Sequence, residues 1–337
     1  MIAYTLRRIL LALPALLGLI VLTFILVRIV PGDPAAALAG DSATPQQIEE
    51  IRARYGLDRP IVEQLYVHLR QVLTGDFGIS AFSNRPVAEE IAQQLPATLE
   101  LTFVALGFAT ILGIGLGLTA ALDHNGPVDH IVRLVSVAGL AVASFWLAIL
   151  LQLLFAMDLN VLPLRGRIDV ELGPPATVTG FFLIDSLLEG RWDRFVDAAR
   201  HLVLPAITLA LPGLATIARF TRSGVLETLQ KDFVLYARAA GYGRFRLAAI
   251  YVLRNAITVT VTQIGLLFGV LISGAVAVEA VFDWPGVGTY AVRAILSADY
   301  KGLLAVTLVV GVIYATVNVI VDVLQGLIDP RVAERQS

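Results

Sequence analysis

The chain has 337 residues, 57% of them hydrophobic and 15% charged; a mean hydropathy of +0.78 sets it outside the range of soluble domains. Lys and Arg (25) nearly balance Asp and Glu (27), so total charge selects no partner and only its distribution along the chain is informative. Cysteine is absent, which excludes disulfides, thiolate metal sites and thiol nucleophiles.

Six uncharged apolar runs lie at Ile9–Val27, Leu101–Leu122, Leu134–Met157, Leu202–Ala218, Ala256–Val278 and Leu303–Val321. Each is near or above the ~20 residues needed to cross a bilayer. Arg7 and Arg8 precede the first run and predict a cytoplasmic N-terminus. With six crossings the C-terminus returns to the same side. Ala37-Leu-Ala39 offers small residues for signal-peptide cleavage. The first run, however, exceeds an h-region of about 7–15 residues, and five more runs follow, so it reads as uncleaved. The fourth run holds Pro205 and Pro212 and predicts a kinked helix.

Residues 31–96 form a polar insertion after the first run. Pro31-Gly-Asp-Pro34 stops that run. Thr44, Pro45 and Gln47 give a capping box and helix start, with Ile48, Ile51 and Tyr55 on one face and Gly56 as the stop. Val62, Leu65, Leu69 and Val72 repeat the pattern before Gly75. Two helices this short cannot hold a core alone and are expected to pack on the spans or on a partner.

In the second run Gly113, Gly115 and Gly117 alternate, without the strand-turn-helix setting of a dinucleotide site; close helix packing accounts for them. Asp123-His124 and Asp129-His130 lie in the short connection after it, read as a solvated cytoplasmic loop in preference to a metal site. In the fifth run Gly265, Gly269, Ser273 and Ala277 recur every four residues. Such a stripe either lets another helix approach closely or lines a solute path. Asp76-Phe77-Gly78 lacks the companion motifs of a kinase. Glu100, Glu279 and Asp322 sit near run ends; mid-membrane ionisable groups of the kind a proton-coupled carrier needs are nearly missing.

Between Arg219 and Asn255 the sequence turns hydrophilic. Arg219, Arg222, Lys231, Arg238, Arg244, Arg246 and Arg254 face only Glu227 and Asp232, an excess that marks the cytoplasmic side. Two short helical patterns flank Gly241-Tyr242-Gly243: Phe233, Tyr236, Ala237 and Ala240 on one side, Leu247, Ile250 and Tyr251 on the other. A helix-Gly-helix element with aromatics fits docking into a groove of a cytoplasmic partner; attraction to anionic headgroups is the other reading of its charge.

At these residues the chain resembles a known family. Ala237-Arg-Ala-Ala-Gly241 followed by Leu253-Arg-Asn-Ala256 is similar to the cytoplasmic "EAA" loop of ABC importer permeases, and most similar to the first membrane subunit of the peptide/nickel type. Leu235 stands where many importers place a leading Glu, and Arg254 where they place a closing Pro. Further stretches match in family order: Ile29-Val-Pro-Gly-Asp-Pro34, Gly75-Asp-Phe-Gly78, Thr179-Gly-Phe-Phe-Leu-Ile-Asp-Ser186, His201-Leu-Val-Leu-Pro-Ala-Ile-Thr208, Val278-Glu-Ala-Val-Phe-Asp-Trp-Pro-Gly-Val-Gly288 and Asp299-Tyr300. The resemblance covers nearly the whole chain.

It implies an all-α, six-span permease of the type I importer kind in a bacterial inner membrane, with an extracytoplasmic helical insertion. The divisions are 1–30 (tail and first span), 31–96 (insertion), 97–327 (five-helix core carrying loop 219–255) and 328–337 (cytoplasmic tail). Tyr236, Ala237, Arg238, Ala239, Gly241, Arg244, Leu247, Tyr251, Arg254 and Asn255 are the residues expected to couple to an ATPase. The implied partners are a second homologous permease, two ATP-binding subunits, an extracytoplasmic substrate-binding protein and the bilayer, with no nucleic acid. No Gly-x-x-x-x-Gly-Lys-Ser/Thr sequence is present, so ATP and Mg belong to the partner ATPases and no cofactor is expected in this chain. Two rivals are a carrier or channel working alone and an intramembrane enzyme. The latter needs a nucleophile paired with a base, and no run supplies one.

Overall fold

The structure, a computed structural model, describes residues 2–29, 35, 43–54, 58–80, 82–243, 247–297 and 299–328. Pro31–Pro34, Ala37–Ala39, Tyr55, Gly56, Arg244 and the tail from 329 onward lie outside the described residues. Every named element is a helix: α1 (Ile2–Ile29), α2 (Pro45–Arg54), α3 (Ile61–Leu73), α4 (Val87–Leu122), α5 (Pro127–Ala141), α6 (Ser144–Leu151), α7 (Phe182–Leu188), α8 (Trp192–Leu229), α9 (Asp232–Ala239), α10 (Arg254–Phe282), α11 (Val287–Leu296) and α12 (Tyr300–Ile328). A π-helical turn extends α6 (Gln152–Asp158), and another leads into α10 (Leu247–Leu253).

Among the described residues, four stretches are long and apolar enough to cross a membrane: Val87–Leu122, Trp192–Leu229, Thr260–Phe282 and Tyr300–Val323. The described apolar part of α1, Leu10–Leu26, is shorter. The third apolar run is not one straight span. It breaks at Val142-Ala143, both extended, and the two parts meet at 106°. With no Gly or Pro at the break, the apolar pattern runs straight through it. The fourth run is a section of the 38-residue α8, which continues through Pro205 and Pro212. Thr208 and Thr216 give their hydroxyl protons to Leu204 and Pro212 carbonyls one turn back.

The core is the seam of α4, α8 and α10. Ala97, Leu101, Ala105 and Ala109 repeat every fourth residue on α4 and are fully buried, beside Leu202, Leu209, Leu214 and Ile217 of α8 and Leu267, Leu271 and Val278 of α10. Gly113 and Gly117 prolong the stripe. A β-carbon on Gly117 would stand 2.6 Å from the Ala218 carbonyl oxygen, and one on Gly113 2.8 Å from Ile217. Two α-helical backbones approach this closely only where side chains are absent. Gly115, by contrast, meets nothing within 4 Å.

Thr44 and Gln47 make the capping box at the start of α2, with Gln47 N–H donating to Thr44 Oγ1 (3.3 Å) and Thr44 N–H to Gln47 Oε1 (2.9 Å). Helix α3 buries no residue completely and lies beside α1, where the His68 ring meets Phe24 at 5.6 Å.

Candidate functional site

The hydrophilic segment 219–255 is not a free loop. Its first 11 residues, Arg219–Leu229, are the last turns of α8. The chain reverses through Gln230-Lys231 into α9, breaks at 240–243, and re-enters the bundle through the π-helical turn and α10. At the break Gly241 has φ +82, a conformation in which a β-carbon would strain the backbone, and nothing lies within 4 Å of it. Arg238 and Tyr236 carbonyls cap the end of α9, accepting from Gly241 and Ala240 N–H.

Helix α9 has two faces. Val234 and Ala237 are buried in a small apolar cluster with Ala121 of α4, Val225 of α8, Leu247, Val252 and Ala256. Leu235 and Tyr236 point outward, 53% and 78% exposed; Phe233, Arg238, Ala239 and Ala240 are exposed too. The face drawn from the sequence is therefore divided: Ala237 packs inward with Val234, which the pattern did not single out, while Phe233 and Tyr236 face away. Past the break, Leu247 is buried and Tyr251 packs its ring on Tyr242, 5.2 Å between centroids. Arg254 and Asn255 are exposed, and the Asn255 amide donates to the Tyr251 carbonyl at 2.7 Å. The structure thus gathers Ala237, Leu247 and Tyr251 on the bundle side and leaves Tyr236, Arg238, Ala239, Arg254 and Asn255 at the surface. Between α9 and the ends of α4 and α8 lies a half-open cavity of about 440 Å³, lined by Leu226, Leu229, Arg238, Tyr242 and Leu247 among others.

The positive charges are not equally available. Arg222 is spent on Asp129, with Nε on Oδ1 at 2.5 Å and a terminal nitrogen on Oδ2 at 2.8 Å; Lys231 lies 3.7 Å from Glu227. This corrects the reading of Asp129 as part of a solvated loop: its carboxylate is wholly buried in the first turn of α5. No group of three or more metal-ligating side chains occurs among the described residues.

On the fifth-run stripe, a β-carbon on Gly265 would meet Val321, and one on Gly269 would meet Tyr314, each inside 3 Å. These two glycines let α12 lie against α10. Ser273 is exposed, its hydroxyl donating to the Gly269 carbonyl at 3.1 Å, and Ala277 is half-buried.

The far end of the bundle gathers residues to which the sequence reading gave a place, near run ends or in matching stretches, but no role, together with Arg167, which it did not name. Glu279 of α10 is fully buried and takes protons from the Thr98 hydroxyl (2.5 Å) and Thr289 N–H (3.0 Å), capping the start of α11. Beside it Arg167 pairs with Glu100 at 2.5 Å, its guanidinium 3.6 Å over the Phe182 ring. Asp185 accepts from Thr179 and Gly180 N–H (2.8 Å each) and the Thr179 hydroxyl (2.7 Å). Burial pushes this carboxyl up, and the hydrogen bonds outweigh it, holding it below the usual carboxylate value. The glycines and Trp of the Trp284-Pro-Gly-Val-Gly288 stretch were the available signal. A β-carbon on Gly286 or Gly288 would collide with the Glu279 carboxylate, and the Trp284 ring nitrogen donates to the Ala97 carbonyl at 3.0 Å.

Residues 113–334 match the family described as "Binding-protein-dependent transport system inner membrane component", and residues 1–102 match its N-terminal companion, "Binding-prot-dependent transport system membrane comp, N-term". The chain is 43% identical over 315 residues to the probable D,D-dipeptide transport system permease protein DdpB of Escherichia coli K12, covering 94% of this chain and 93% of the relative. It is 39% identical to the di/tripeptide transport system permease protein DppB of Pseudomonas aeruginosa UCBPP-PA14, over the whole of both chains. With the dipeptide transport system permease protein DppB of Alkalihalophilus pseudofirmus it shares 37% identity, over 98% of this chain and 99% of the relative.

Proposed function

The chain belongs to the inner membrane components of binding-protein-dependent transport systems, and on that premise we propose that it is one membrane subunit of an ATP-driven importer of short peptides. The relatives named above are permeases for dipeptides, D,D-dipeptides and di- or tripeptides, and short peptides are accordingly the substrate class. The spans are α1, α4, the broken pair α5–α6 counted once, α8, α10 and α12. Arg8 of α1 lies 3.0 Å from Asp322 of α12, which supports both termini on one side, the cytoplasmic one. The insertion at 31–96 then lies outside, where a substrate-binding protein arrives. A second homologous permease completes the path, and exposed Ser273 is the member of the α10 stripe best placed to line it. Two ATP-binding subunits supply ATP and Mg.

The observation that carries the coupling role is the divided surface of α9. Val234 and Ala237 tie it into the same apolar cluster as α4, α8 and α10, while Leu235 and Tyr236 remain open to a partner. A push on the outer face therefore reaches three spans through packed side chains rather than through a slack loop. Arg238, Ala239, Arg254 and Asn255 frame the contact, and Gly241 provides the corner. Affinity purification of the tagged chain from native membranes, followed by reconstitution and uptake of a labelled dipeptide, tests this. Recovery with a second permease and two ATPases, and uptake that requires ATP, is expected. A chain recovered alone that transports without ATP would replace this reading with an autonomous carrier or channel.

A further inference from the structure

We infer that the ion pair between Asp129 and Arg222 is a positioning device that makes the broken third span move with the coupling segment. This rests on the coupling role proposed for α9. Asp129 opens α5, the first half of the pair that bends by 106°. Its carboxylate has no solvent exposure and four ties: both prongs of Arg222, an Arg133 nitrogen at 3.2 Å, and the Asn125 N–H at 3.1 Å. Arg222 stands on α8 three residues before Val225, which packs in the cluster with Val234 and Ala237 of α9. The same stretch of α8 thus holds the coupling helix through Val225 and the third span through Arg222.

Elsewhere on this buried face of α5, Val132 clusters with Ala218, Gly139 lies against Leu211 and Ala215, and Ser136 is buried between them; none of these carries a charge. Dispersion contacts of this kind are individually weak and carry little directional preference. A two-pronged guanidinium–carboxylate pair fixes distance and orientation together. Burying a charged pair is a poor way to gain stability compared with packed apolar residues, so its presence at this joint fits a demand for fixed register. Lysine, a point charge, would keep the attraction and lose the second prong.

The test uses this chain in its full complex, reconstituted in proteoliposomes with the binding protein, and reads peptides imported per ATP hydrolysed alongside the amount of assembled complex. Asp129→Asn and Arg222→Gln are expected to assemble and hydrolyse ATP while importing about tenfold fewer peptides per ATP, a coupling loss of ordinary size for linked sites. Arg222→Lys keeps the charge and guards against simple misfolding; it is expected to assemble normally and lose about threefold. Arg191→Gln, which removes an exposed pair with Asp193, is expected to match the unaltered complex. Wild-type stoichiometry in Arg222→Lys, or uptake that falls only in proportion to assembled complex, overturns the inference. Measuring Gly241→Val in parallel separates the two levels: if it uncouples while the ion-pair variants do not, only this inference falls. If neither uncouples, the coupling role of α9 falls with it.

Discussion

The Thr98 hydroxyl donates to Glu279 at 2.5 Å and accepts the Val287 N–H at 2.9 Å. One side chain on α4 therefore locks both sides of the turn between α10 and α11. Both glutamate oxygens act as acceptors, one for the Thr98 hydroxyl and one for the Thr289 N–H. In Glu279→Gln one of those positions becomes an NH₂ that faces a donor. A loss of about 1–3 kcal/mol is expected, the usual cost of a buried group left without its partner. Thermal unfolding in detergent, followed by the fluorescence of buried Trp284, would read it.

Two glycines half a turn apart should behave oppositely. Gly117→Val puts a side chain where a β-carbon is already 2.6 Å from backbone oxygen of α8, and neither helix can retreat without opening the seam. Assembly should fail. Gly115→Ala meets open space and should be neutral or gain up to about 1 kcal/mol of helix propensity. Size-exclusion profiles of the two variants give the answer directly.

Replacing Gly241 by valine forces a branched side chain into φ +82, at a cost of roughly 1–2 kcal/mol. Insertion should survive, because nothing surrounds the position. Uptake per ATP should fall as the corner after α9 changes shape. Gly243→Ala, with no left-handed requirement and no neighbour within 4 Å, is the matched control.

On α9, Tyr236→Ala and Leu235→Ala remove exposed side chains and should change thermal stability by no more than about 0.5 kcal/mol. Both should reduce co-purification of ATPase subunits. Val234→Asp buries a charge in the apolar cluster and should instead lower the yield of folded chain. Equal ATPase recovery with Tyr236→Ala and with wild type would count against α9 as the docking face.

Asp185 predicts an acid sensitivity. Its carboxyl is held below the usual value in the folded chain, so its contribution is present above the unfolded value and is lost as pH falls through the folded one. The turn at 178–185 should loosen in acid. Asp185→Asn should show that loosening already at neutral pH, and hydrogen exchange at Thr179 and Gly180 would report both.

Much of the molecule was legible in its residues. The capping box at Thr44 and the Gly241 break are local matters of backbone conformation and appear where the pattern places them, and the second, fourth, fifth and sixth apolar runs fall on helices long enough to span. Gly113 and Gly117 announced a close helix contact because small residues repeated on one face. The partner of that contact, α8, was invisible to the repeat. The break at Val142-Ala143 left no mark, since neither residue is a helix breaker.

What the sequence determined by itself is a membrane-embedded helical chain with one basic segment and no nucleotide or metal chemistry motif, because hydropathy, charge and local turns need no neighbours to be read. Only the tertiary structure decided which charges are free and which are spent. Asp129 and Arg222 lie 93 residues apart, and each looks like an ordinary solvated group until the fold removes the water from one and aims the other at it. The division of α9 into an inner and an outer face was settled the same way, by what the end of α8 presents to Val234 and Ala237.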